Sequence, residues 1–182
     1  VKSEYGKGSV FSFAIPQKII NASPLGDFQE QYDKSVRNSI SYREKFIAPL
    51  AKILVVDDNA MNLAVAQDLL RKTKLQIDVA SSGGECLEML KRKEYHLICM
   101  DHMMPVMDGV QTLHAIRELE DNPSRNIPVI ALTANAVVGA KEFYLKAGFE
   151  DYLSKPIEPD KLEDILIQYL PKELVYLTDD EE

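Results

Sequence analysis

Ile53-Leu-Val-Val-Asp-Asp-Asn59 decides the fold. Four apolar residues in a row, three of them β-branched, suit a strand buried on both faces, and two aspartates and an asparagine end it. Two other runs repeat the arrangement. Leu97-Ile-Cys-Met100 leads into Asp101, and Tyr152-Leu-Ser154 leads into Lys155. If these runs are neighbouring parallel strands, three carboxylates converge at one sheet edge with a lysine beside them.

Outward from those runs, strand and helix signals alternate five times across residues 51–170. The strands read as about 52–57, 75–80, 95–101, 127–132 and 149–154, and the helices as about 59–73, 83–93, 108–120, 137–147 and 159–170. Leu162, Ile165, Leu166, Tyr169 and Leu170 keep the spacing of one helical face, as do Val110, Leu113 and Ile116. Gly148 suits a left-handed helix stop. Pro159 suits a first helical turn, although Glu158 before it is a poor cap. Strict alternation of this kind predicts an α/β fold, a parallel sheet with helices on both faces. Ligands of such sheets bind at the carboxyl ends of the strands, where Asp57, Asp58 and Asp101 fall.

The flanks read differently. In residues 1–16, the Gly-rich turn Tyr5-Gly-Lys-Gly8 precedes a short strand through Val10, Phe11 and Phe13 that Pro16 ends. Residues 17–50 read as a linker, with a weak helical spacing at Phe28, Tyr32 and Val36. The βα domain is placed at 51–171. In the acidic tail, 172–182, Leu174, Val175 and Leu177 can pack locally before Asp179-Asp-Glu-Glu182 frays.

The 182 residues are 46% apolar and 27% charged, with a net charge of −8. That composition is globular and argues against a nucleic-acid footprint. No apolar run approaches the roughly 20 residues that cross a bilayer, and the polar opening Val-Lys-Ser-Glu-Tyr-Gly6 does not resemble a signal peptide. A cytoplasmic protein without direct membrane contact is expected, and Val1 in place of Met points to a piece of a longer chain. Cys86 and Cys99 sit in apolar patterns and read as buried thiols in a reducing compartment.

Clustered carboxylates raise the pKa of at least one member and call for a cation. Mg2+ takes hard oxygen ligands and needs only one or two carboxylates beside a phosphate. Such a site lets one aspartate take a phosphoryl group, with the ion neutralising charge during transfer. Lys155 can hold a phosphoryl oxygen as a point charge. Thr133, ending the fourth strand, offers a hydroxyl that can report the phosphoryl's arrival. His102 reads as an outward-facing loop residue, His96 and His114 lack ligand-spaced partners, and Met103, Met104 and Met107 read as loop packing. Gly83-Gly84 starts a helix and lacks dinucleotide-loop spacing.

Four segments carry a resemblance: Ile53–Asn59, Met100-Asp-His-Met-Met-Pro-Val-Met-Asp-Gly109, Pro128-Val-Ile-Ala-Leu-Thr-Ala134 and Asp151-Tyr-Leu-Ser-Lys-Pro156. Together, in order, they resemble response-regulator receiver domains. The resemblance implies a flavodoxin-like (βα)5 fold with strand order 2-1-3-4-5. It implies Asp101 as phosphoacceptor and Mg2+ ligand, Asp58 as a direct Mg2+ ligand, Asp57 as one either directly or through water, the backbone carbonyl of Met103 as a further ligand, and Lys155 as the phosphate-contacting lysine. Thr133 and Tyr152 match the family's switch pair, and the Lys155-Pro156 bond is expected to be cis. The implied donor is a histidine-kinase transmitter or a histidine phosphotransfer domain. The face of the fourth helix, fifth strand and fifth helix is a candidate for receiver homodimers. Met103 and Asn135 flank the site where they can affect water access.

Tyr5-Gly-Lys-Gly-Ser-Val-Phe-Ser-Phe13 resembles the last glycine box and following strand of histidine-kinase ATP-binding domains. The order points to a hybrid sensor histidine kinase, an ATP-dependent phosphotransferase of which this stretch keeps the receiver. Other classes fit less well. A DNA-binding regulator needs an output domain, and a phosphatase of the aspartate-nucleophile type needs an acid two residues on, where Met103 stands. No G-x-S-x-G elbow is present. A docking-only pseudo-receiver would not need the full residue set.

Overall fold

The structure is a computed structural model that describes residues 1–4, 6–14, 44–119, 126–134 and 140–178. The weak helix at Phe28, Tyr32 and Val36, together with Pro16, Asn135, the expected helix start at 137 and the frayed end at 179–182, lies outside those residues. The chain divides into two units, Val1–Tyr42 and Arg43–Glu182.

In the first unit, β1 (Lys2–Glu4) and β2 (Gly8–Val10) form an antiparallel hairpin with Ser3 opposite Ser9. The Lys7 N–H closes the turn on the Glu4 carbonyl at 3.0 Å. The strand expected through Phe13 stops at Val10, and Phe11 and Phe13 are exposed.

The second unit opens with β3 (Phe46–Ile47) and continues as β4 (Lys52–Val56), α1 (Ala60–Leu69), β5 (Gln76–Ala80), α2 (Gly83–Leu90), β6 (Leu97–Asp101), α3 (Gly109–Arg117), β7 (Val129–Thr133), α4 (Ala140–Ala147), β8 (Asp151–Ser154), α5 (Pro159–Tyr169) and β9 (Tyr176–Leu177). The five strands from β4 to β8 lie parallel in the order β5-β4-β6-β7-β8. Counted along the βα repeats, that is 2-1-3-4-5, as the resemblance implied.

Side chains alternate across a strand, so each central strand feeds two cores. Ile53, Val55, Leu97, Cys99, Ile130 and Leu132 meet α1 and α5 on one face. Leu54, Val56, Ile98, Met100, Val129 and Ala131 meet α2, α3 and α4 on the other. The helix ends follow local chemistry. Asn59 caps α1 by accepting from the Met61 N–H at 2.9 Å, and Asp108 and Gln111 cap α3 reciprocally. Gly148 stops α4 at φ +99°, which an L side chain rarely adopts. Glu158 precedes α5 without a side-chain cap bond. Helix α1 ends earlier than expected, and Arg71–Thr73 turn as a 3-10 helix. Cys86 and Cys99 are free and buried, and burial pushes both thiols up to about 12.

Residues 44–50, read above as linker, are part of this body. Strand β3 pairs antiparallel with β9, Phe46 with Leu177 and Ile47 with Tyr176. Phe46 and Ala48 are fully buried. The Lys45 N–H donates to Glu163 Oε2 at 2.7 Å, and the Thr178 N–H donates to the Lys45 carbonyl at 2.9 Å. Leu174 and Val175 pack on the α1–α5 core. The compact body therefore passes the expected edges at 51 and 171. A two-residue strand carries no periodic pattern, and its partner lies at the other end of the domain.

Candidate functional site

The sheet order gathers the residues. Asp57 follows β4 and Asp101 ends β6, its neighbour. Thr133 ends β7, next to β6. Lys155 follows β8, and its N–H donates to the Thr133 carbonyl at 2.7 Å. Carboxylate oxygens of Asp57, Asp58 and Asp101 all lie within 4.8 Å of one another, with Asp57 and Asp101 buried and Asp58 exposed. Lys155 Nζ reaches Asp57 Oδ2 at 2.6 Å and Asp101 Oδ1 at 2.8 Å. The lysine expected to meet a phosphoryl oxygen thus also bridges the two buried acids.

Burial pushes the Asp101 carboxyl above the ordinary carboxylate range. Lys155 and the Met103 N–H oppose that shift, and the Asp57 charge adds to it. Like-charge clustering was expected to raise one acid; desolvation is the larger cause. Burial pulls the Lys155 ammonium down, but its hydrogen bonds to Asp101 and Asp57 outweigh that and leave it above the ordinary lysine value.

Asp57 has further support that the sequence reading missed. Its Oδ1 accepts from the Asn59 N–H at 2.9 Å and from Asn62 Nδ2 at 3.0 Å. Asn62 sits in the first turn of α1, where a polar residue facing back toward the strand end was the only available signal.

The loop after Asp101 folds back on the strand. The His102 N–H donates to the Leu132 carbonyl at 3.0 Å, and the Gly109 N–H donates to the His102 carbonyl at 2.9 Å. A Cβ on Gly109 would lie 2.3 Å from the Asp101 carbonyl oxygen, so only glycine permits this approach. Met104 is buried, whereas Met103 is exposed and does not pack as expected. Val106 is fully exposed at φ +71°, an outlier for a β-branched residue.

His102 does not face outward. It is half-buried, and its Nδ1 is hydrogen-bonded to the Tyr144 hydroxyl at 2.8 Å. Tyr144 lies 42 residues away in the chain, and only α4 packing brings it close. His96 is structural: its Nδ1 accepts from the Lys52 N–H at 2.9 Å. Thr133 is buried, Tyr152 is half-buried within β8, and the Lys155-Pro156 bond is cis.

Donor chemistry fits a hard divalent ion: three carboxylates converge, and no imidazole or thiolate joins them among the described residues. Among those residues, no helix is long and apolar enough to cross a membrane.

The family model for the response regulator receiver domain matches residues 53–167. The signal transduction histidine-protein kinase BarA of Escherichia coli (strain K12) is 40% identical over 119 residues, which is 65% of this chain and 13% of that kinase. Hybrid signal transduction histidine kinase B of Dictyostelium discoideum is 41% identical over 134 residues, 69% of this chain and 7% of that kinase. The chain therefore spans a small part of these curated relatives. Among solved structures, the receiver domain of sensor histidine kinase PA1611 from Pseudomonas aeruginosa PAO1, with a magnesium ion coordinated in its active site cleft, is similar at TM-score 0.59 and 37% identity; the match covers 65% of this chain and 96% of that one. The receiver domain of Ssk1, in its complex with the histidine phosphotransfer signaling protein Ypd1 of Saccharomyces cerevisiae, is similar at TM-score 0.61 and 27% identity over 75% of this chain and 97% of that one. The family match, the 2-1-3-4-5 sheet and the acidic edge agree, and the chain belongs to the response regulator receiver domain family.

Proposed function

We propose that this receiver works in a phosphorelay by accepting a phosphoryl group from a phosphohistidine onto a carboxylate oxygen of Asp101. The P–N bond to the donor imidazole breaks, its electron pair stays on that nitrogen, and a P–O bond forms to Asp101. One observation carries the reading: a buried carboxylate lies 2.8 Å from an ammonium, with two more carboxylates at the same sheet edge.

Asp57, Asp58, Asp101 and the Met103 carbonyl would hold Mg2+, which supplies charge neutralisation for the phosphoryl oxygens when bound. Asn59 and Asn62 keep Asp57 oriented. Lys155 offers its ammonium to a phosphoryl oxygen on Asp101. The Thr133 hydroxyl follows that oxygen, and Tyr152 turns with it, shifting a two-state equilibrium across the β7–α5 side.

The parent protein is a hybrid sensor histidine kinase. Residues 1–16 are the end of its ATP-binding domain, residues 17 to about 43 the linker, and 44–178 the receiver body with its flanking strands. The donor is a transmitter or a histidine phosphotransfer domain, and the setting is cytoplasmic. The Ssk1 receiver bound to Ypd1 supports a partner of that kind.

Labelling by a small phosphodonor such as acetyl phosphate tests the reading. Asp101→Asn and chelation of Mg2+ should each abolish it. Labelling of Asp101→Asn at undiminished stoichiometry would overturn the assignment.

A further inference from the structure

Tyr144 lies on α4, 3% exposed, and touches both halves of the proposed device. Its hydroxyl is hydrogen-bonded to His102 Nδ1 at 2.8 Å. His102 directly follows Asp101, and its own N–H and carbonyl are tied to Leu132 and Gly109, so its backbone cannot move independently of the acceptor loop. The Tyr144 ring also lies nearly parallel to that of Tyr152, with centroids 5.9 Å apart and planes at 15°. Phe143 and Phe149 meet Tyr144 edge-on at 5.1 Å and 5.7 Å. Tyr152 borders, in addition, an open groove with Ser154, Lys161, Asp164 and Ile165.

Phenylalanine would supply the same apolar area at this position. A buried phenol needs a hydrogen-bond partner to offset its desolvation, and His102 is that partner. The hydroxyl therefore adds something that packing does not require.

We propose that Tyr144 is a positioning residue that ties the acceptor loop to the switch aromatic, holding His102 and Tyr152 together in the resting arrangement. The proposal rests on the receiver reading given above. A phosphoryl group on Asp101 shifts the acceptor loop and Tyr152, and either movement strains contacts that Tyr144 makes. Coupling of this kind is reciprocal, so loss of the hydroxyl makes the active arrangement easier to reach. A neutral hydrogen bond that is broken in one state shifts the balance by about three- to tenfold.

The chain has 3 histidines, so imidazole NMR signals resolve His102, assigned with His102→Gln. The probe is beryllofluoride with Mg2+, which mimics an aspartyl phosphate, titrated into the whole chain. In the wild type, the His102 signal should move as beryllofluoride binds. In Tyr144→Phe, which keeps the ring, His102 should already sit away from its resting position, and the beryllofluoride midpoint should fall by about three- to tenfold. In Tyr144→Leu, which loses the ring as well, the His102 signal should no longer follow Tyr152. A purely structural role for Tyr144 would lower the melting temperature and alter the His102 signal only through the lost hydrogen bond, leaving the beryllofluoride midpoint unchanged. If Tyr144→Phe matches the wild type in its beryllofluoride midpoint while the wild type responds, the tie alone is overturned. A wild type unresponsive to beryllofluoride and Mg2+ overturns the receiver reading, and this proposal with it.

Discussion

The ammonium nitrogen of Lys155 lies 2.8 Å from Oδ1 of Asp101 and is mostly buried with it. Removing one partner of such a pair leaves an uncompensated charge in a poorly solvated place. Asp57 keeps its bonds from Asn59 and Asn62, which limits the damage. Lys155→Met should cost about 3 kcal/mol, the lower end for orphaning a buried charge. Urea denaturation checks this. Adding Asp101→Asn to the lysine variant should recover part of the loss, and equal losses in the single and double variants would contradict the pairing.

Gly109 is held against the strand end that carries Asp101. Its missing side chain leaves room for the Asp101 carbonyl, 2.3 Å from where a Cβ would stand. Gly109→Ala should cost about 1–3 kcal/mol through overpacking. It should also slow phosphorylation of Asp101 more than a distant substitution of equal stability cost. Initial rates with acetyl phosphate, set beside melting temperatures, separate the two effects.

Phe46 is fully buried although it precedes the first strand of the βα repeat. Phe46→Ala should destabilise the receiver by about 3–5 kcal/mol. Accordingly, a chain begun at residue 51 should denature at lower urea than one begun at residue 43. Equal midpoints would show that the β3–β9 pair adds nothing to stability.

Asp78 on β5 gives a pH dependence with a definite sign. Burial pushes its carboxyl up, but hydrogen bonds from Lys93 at 2.5 Å and Tyr95 at 2.6 Å outweigh burial and hold it below the usual 3.8. A carboxyl depressed in the folded state stabilises above its unfolded pKa, and that stability is lost as pH falls through the folded pKa. Asp78→Asn should therefore be less stable than the wild type at neutral pH, and the gap should close as pH falls below 3.8. Melting curves across the acid range measure it.

What could be read without coordinates was local or periodic. Ile53-Leu-Val-Val56, Leu97-Ile-Cys-Met100 and the α5 stripe from Leu162 to Leu170 announce their elements because burial on two faces or on one stripe leaves a pattern along the chain. Asp57, Asp101 and Thr133 were legible because strand ends are where an α/β sheet presents its chemistry. Tertiary structure alone decided which distant side chains meet. It placed Lys155 between Asp57 and Asp101, paired Phe46 with a strand from the far end of the domain, and turned His102 toward Tyr144. Those partners are separated by tens of residues and share no period. Their contacts arise only when helices and strands pack, because a hydrogen bond or ion pair depends on distance in space and leaves no spacing in the chain to read.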